Sequence, residues 1–153
     1  MRKEETVDHC IKTAWHAISR MYNQQAWKHD LTTAIGFVLL NIHSDQGTAA
    51  TKIAPLMGME ARSLTRTLKT MEEKGLIRRA PDAIDKRSVR VFLTDLGKEK
   101  KEVSRQTVLT FNNRVREQIA PQKLRTFFSV MNEINALAVQ GLAEGEDIGK
   151  TLN

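Results

Sequence analysis

Between Lys74 and Gly97 the order of residues leaves few choices of fold. Lys74-Gly75 closes a helical pattern, because glycine readily takes the left-handed conformation that ends a helix. Leu76-Ile77-Arg78-Arg79-Ala80 then reads as a strand and Asp85-Lys86-Arg87 as a charged turn. Ser88-Val89-Arg90-Val91-Phe92-Leu93 reads as a second strand, with Val89, Val91 and Leu93 alternating. Thr94 can cap a further helix, with Asp95 near its positive end. Just upstream, Leu64, Leu68 and Met71 recur at i, i+4 and i+7, which predicts a helix from Glu60 to Lys74. The stretch is therefore a helix, a basic hairpin and another helix, joined by short connections.

The remaining chain is helical in pattern. Val7, Ile11, Ala14, Trp15, Ile18 and Tyr22 predict a first helix over Glu5 to Lys28. Leu31 to His43 is apolar on most sides, predicting a buried second helix capped by Thr32 or Thr33. Thr48 to Met57 predicts a third, with Thr51 as cap to ease Pro55, and Gly58 as its break. After the hairpin, Val108, Phe111, Val115 and Ile119 line one long helix. Pro121 starts another, striped by Leu124, Phe127, Phe128, Met131, Ile134, Leu137 and Ala138. The expected fold is mainly α with a small β-wing, in one unit over residues 1–153. A winged helix-turn-helix core spans about 31–97, between helical extensions at about 1–30 and 98–145, and a polar tail follows at 146–153. The extensions are too long for so small a core to bury. They need either each other or a second copy of the chain, and a second copy is the commonest such surface.

Composition narrows the partners. The 153 residues carry 24 Lys+Arg against 18 Asp+Glu, a net charge of +6. Between Glu60 and Arg90 there are nine basic residues and five acidic ones, so four of the six net charges fall there. That surplus suggests a polyanion. The N-terminus lacks the apolar core of a signal peptide, and no apolar run reaches the ~20 residues of a membrane span. With one cysteine, Cys10, there is no intramolecular disulfide. A cytoplasmic protein that does not engage the membrane is expected. No Gly-rich phosphate loop, nucleophile elbow or paired-carboxylate cleft is visible, so neither catalysis nor a cofactor is expected. His9 and His16 stand ~10 Å apart along a helix and cannot share one ion directly, so no metal site is expected.

On the Glu60–Lys74 helix, Arg62, Ser63, Thr65, Arg66, Thr67 and Lys69 lie mostly opposite the apolar stripe. An arginine there can present a bidentate fork to guanine, while the short hydroxyl residues can bond phosphates. The plain alternative is a solvated amphipathic face. Lys86 in the hairpin turn suits a phosphate contact. Arg78, Arg79 and Arg90 suit either phosphates or surface ion pairs.

Taken in order, Leu31-Thr32, Ile53-Ala54, Leu64-Thr65-Arg66, Met71-Glu72-Glu73-Lys74-Gly75-Leu76-Ile77, Arg79, Asp85-Lys86-Arg87, Leu93-Thr94 and Gly97 resemble the multiple-antibiotic-resistance regulator (MarR) family. Glu60, a poor capping residue, Pro55 and Arg62 depart from its usual pattern. The resemblance implies a homodimeric, sequence-specific DNA-binding transcription regulator. Its expected action is repression at a pseudo-palindromic operator, relieved by a small-molecule effector. By the same resemblance, Arg87 would enter the minor groove, and Asp85 would steady Arg66 or Arg87. Trp15, Tyr22, Phe37 and His43 would line an effector cavity, or equally serve as plain core. Cys10 would be an oxidant sensor or an incidental cysteine. The partners expected are double-stranded DNA, a second copy and a small effector. The competing readings are a non-specific architectural DNA binder and a winged-helix interaction module.

Overall fold

The computed structural model describes residues 2–86 and 88–144. Arg87 and the tail expected at 146–153 lie outside them. The chain forms two compact units, residues 1–109 and 110–153. In the first, α1 (Val7–Trp27) follows a short 3-10 turn at Lys3–Glu5. α2 (Thr33–Leu40) begins where Thr32 accepts a hydrogen bond from the Ile35 N–H at 3.2 Å, satisfying one orphan donor of the first turn. Its Ile35, Val38 and Leu39 are all buried, as its continuous apolar sequence requires.

The chain then departs from its expected path. Thr48–Ala49 is not helical but forms β1, and α3 is shortened to Ala50–Leu56, capped by Ala49 rather than Thr51. Gly47, at φ +63, turns the chain into this strand. The Thr48 hydroxyl accepts from the His43 N–H at 2.9 Å, holding the strand start against the end of the preceding segment. β1 pairs with β3 (Val89–Leu93), Thr48 opposite Val91, and β3 pairs with β2 (Ile77–Pro81), Ile77 opposite Leu93. The sheet therefore has three antiparallel strands in the order β1-β3-β2, one more than the hairpin alone.

α4 (Ala61–Glu73) buries Leu64, Leu68 and Met71 against Ile53, Ile77, Val91 and Leu93 in one core with α2. Its N-cap, Glu60, makes no side-chain cap bond, as a carboxylate on so long a stem leads one to expect. Its C-terminus is closed by Gly75 at φ +69, with Leu76 N–H to Met71 O and Gly75 N–H to Glu72 O, both at 2.9 Å. The start of α5 (Asp95–Gln118) is fastened to that same turn. The Thr94 hydroxyl donates to Gly75 O at 2.6 Å and accepts from the Gly97 N–H at 3.0 Å. A Cβ on Gly97 would lie 1.9 Å from Leu76 O, so only glycine allows this approach.

In the second unit, Pro121 opens α6 (Pro121–Glu144), where its missing N–H is no loss. Leu124 is buried, whereas Phe127, Phe128 and Leu137 are exposed.

Candidate functional site

The exposed side of α4 is a basic stripe. Arg62, Arg66 and Lys69 stand at i, i+4 and i+7, opposite Leu64, Leu68 and Met71 around the helix, and all three are exposed. Arg62 and Arg66 make no ion pair among the described residues. Lys69 meets Glu73 at 3.9 Å, a surface pair too open to hold it.

The neighbouring hydroxyls divide. Thr65 donates to Ala61 O at 2.9 Å and Thr67, half-buried, donates to Ser63 O at 3.0 Å. Their protons are used within the helix. Ser63 is exposed and, among the described residues, its hydroxyl has no such bond. Ser63 is thus the hydroxyl donor of this face, while Thr65 presents chiefly a methyl group. A methyl suits apolar contact with a thymine methyl better than a phosphate.

The hairpin tip is organised by a residue the sequence did not single out. Asp82 is 4% exposed. Its Oδ1 accepts from the Ile84 N–H at 2.8 Å and the Asp85 N–H at 3.1 Å, while its Oδ2 takes the Arg90 Nε at 2.7 Å. Arg90 in turn donates to Gln46 O at 3.0 Å and Gly47 O at 3.3 Å, so the tip is tied to the turn between α2 and β1. The two backbone donors, and after them Arg90, hold the Asp82 carboxyl below the usual carboxylate range. Asp85 contributes its N–H to this arrangement, and the residue is exposed beside Lys86. Arg90 is an internal ion-pair donor rather than a free phosphate ligand. So is Arg79, which pairs with Glu72 through Nε at 2.9 Å. Arg78 stacks over the Phe92 ring at 4.3 Å. Lys86 is exposed at the tip. The carboxylate signal was available: an Asp at the start of a turn commonly accepts from the N–H two residues on.

A recess of about 30 Å³ opens beside α2, among Tyr22, Ala26, Thr33, Phe37, Ser104 and Val108. Gly36 lets α5 come near, since a Cβ there would sit 3.2 Å from the Ser104 hydroxyl oxygen. Tyr22 meets Phe37 edge-on at 5.9 Å, and burial pushes its phenol pKa up. Trp15 also packs on Phe37, at 6.1 Å, but is half exposed and does not line the recess. His43 does not reach it either. It lies beyond the end of α2, where its Nδ1 accepts from the Asp45 and Gln46 N–H groups at 3.3 and 3.2 Å. Cys10 is exposed, its Sγ 3.5 Å from Glu4 O. No group of three metal-ligating side chains occurs among the described residues, and no described helix is long and apolar enough to cross a membrane.

Comparison with known proteins agrees with this geometry. The sequence profile of the MarR family matches residues 31–89. The HTH-type transcriptional regulator TtmR of Methylorubrum extorquens (strain PA1) is 35% identical over 88 residues, which is 58% of this chain and 45% of TtmR. The match thus spans less than half the length of that relative. Among solved structures, the MepR–DNA complex of S. aureus superposes with a TM-score of 0.79 at 20% identity, covering 86% of this chain and 97% of MepR. PcaV of Streptomyces coelicolor, in complex with its natural ligand, gives 0.77 at 16% identity, covering 90% and 97%. Likeness at such low identity establishes the winged-helix fold.

Proposed function

The chain belongs to the MarR family by its residues 31–89, and from that premise we propose that it is a homodimeric transcription regulator that reads a pseudo-palindromic operator. The observation that carries this reading is the stripe of Arg62, Arg66 and Lys69, exposed on a helix whose opposite face is anchored in the core. Held so, the helix can lie along a major groove with Arg62 near its N-terminal end, the end that meets base edges in this class of fold. The wing, pinned by Asp82 and Arg90, reaches the adjacent backbone and minor groove with Lys86. Arg87, expected for the minor groove, lies beside it in sequence.

Repression relieved by a small effector is the regulatory half of the proposal. At about 30 Å³ the recess by Tyr22 and Phe37 holds roughly one water, far short of the several hundred Å³ of a ligand pocket. An effector binding there must part α2 from α5, and that is how it would disturb α4.

Selection of purified protein on random duplex DNA at physiological salt tests the reading. An enriched inverted repeat, with half-sites about one helical turn apart, is the expected result. Salt-sensitive binding without enrichment would replace it with architectural, sequence-independent binding. No duplex binding at any salt would overturn it in favour of an interaction module.

A further inference from the structure

Ile84 is 91% exposed, and it stands at the very tip of the wing. An isolated exposed aliphatic residue needs no explanation on an ordinary surface. Here the surroundings differ in two ways. First, the backbone beneath it is fixed: the Ile84 N–H is held by Asp82 at 2.8 Å, and Asp82 is held by Arg90. Arg90 is anchored in turn on Gln46 and Gly47. The side chain is thus presented on a rigid support. Second, its company at the tip is apolar on one side and charged on the other. Ala83 precedes it, the exposed Asp85 and Lys86 follow it, and Val89, where the strand leaves the turn, is 42% exposed.

A DNA duplex offers a hairpin two kinds of surface. The rims are phosphate, and Lys86 can answer them. The walls and floor of the minor groove are sugar and base edge, and an aliphatic side chain can answer only those. We propose that Ile84 is an apolar reader of the minor groove, pressed against sugars and a base step beneath the wing. The proposal rests on the operator-binding reading above and adds a residue to it. Contact of this kind partly unstacks the step and bends the duplex, which is least costly at pyrimidine–purine steps such as TA and CA/TG. Ile84 therefore contributes affinity that does not depend on counterion release, together with a preference for a deformable step.

The test compares wild type, Ile84→Ala, Ile84→Leu and Lys86→Ala on the duplex that wild type selects, across a salt series. Being exposed, Ile84 can be changed without loss of folding, and circular dichroism checks that. Ile84→Ala should weaken binding about 10- to 100-fold, the size expected for losing one buried aliphatic contact. The slope of log K against log salt should stay unchanged, and Ile84→Leu should restore most of the affinity. Lys86→Ala should instead lower the magnitude of that slope by roughly one. Wild-type affinity for Ile84→Ala, or a loss accompanied by a changed salt slope, overturns the proposal and leaves operator binding standing. Failure of wild type to bind any duplex overturns both.

Discussion

Asp82 does at one position what is usually spread over several. It accepts two backbone N–H groups and a guanidinium, and its folded pKa is lowered by them. A carboxylate with a depressed folded pKa contributes stability that is fully present above its unfolded value, near 3.8, and fades as pH falls through the lower folded value. The wing should therefore stay ordered from neutral pH down to about the ordinary carboxylate range, and loosen below it. Amide exchange at Ile84 and Asp85 followed through acidification measures this. Asp82→Ala should free the tip at neutral pH and weaken DNA binding while far-ultraviolet dichroism, dominated by helices, stays constant. Arg62 makes a different demand. Arg62→Ala should relax base preference at one position per half-site by about 1–3 kcal/mol, read from selection with the variant. Equal preference in variant and wild type would remove Arg62 from base recognition.

Among the elements, the turn joining α4, β2 and α5 separates two glycines with different duties. Gly75 needs its positive φ but has nothing within 4 Å of a new Cβ, so Gly75→Ala should cost about 1–2 kcal/mol of backbone strain. Gly97→Ala drives a Cβ into the carbonyl of Leu76 and should cost more, about 3 kcal/mol or beyond, because a backbone atom cannot step aside. Thermal unfolding of the two variants orders them. The helices were legible because apolar residues repeat at helical spacing over many turns, and Leu64, Leu68 and Met71 fell in the core as read. β1 was not legible. Two residues carry no period, and what makes Thr48–Ala49 a strand is pairing with Val91 and Arg90, more than forty positions away. The basic stripe was legible for the same reason as the helix. The division of labour among its hydroxyls was not, since the bond from Thr65 to Ala61 O depends on a rotamer rather than a pattern.

At the scale of the whole molecule, charge and exposed apolar surface point to two partners. The net +6 is concentrated around α4 and the wing, so affinity for DNA should fall steeply with salt. Val7, Ile11 and Trp15 on α1, and Phe127, Phe128 and Leu137 on α6, are left at least a third exposed in the single chain. A second copy would cover such faces. Sedimentation should give a dimer, and Phe128→Asp should shift it toward monomer with loss of operator binding. Unaltered assembly in that variant would take α6 out of the contact. The wing adds a consequence for how such a molecule can diversify. Asp82 grips residue 84 by its N–H and never by its side chain. Any amino acid with an N–H can occupy that position without the hairpin losing its support, and proline alone is barred. The tip is thus an interchangeable fitting: its recognition chemistry can drift, or be swapped at will, while the scaffold beneath it stays the same.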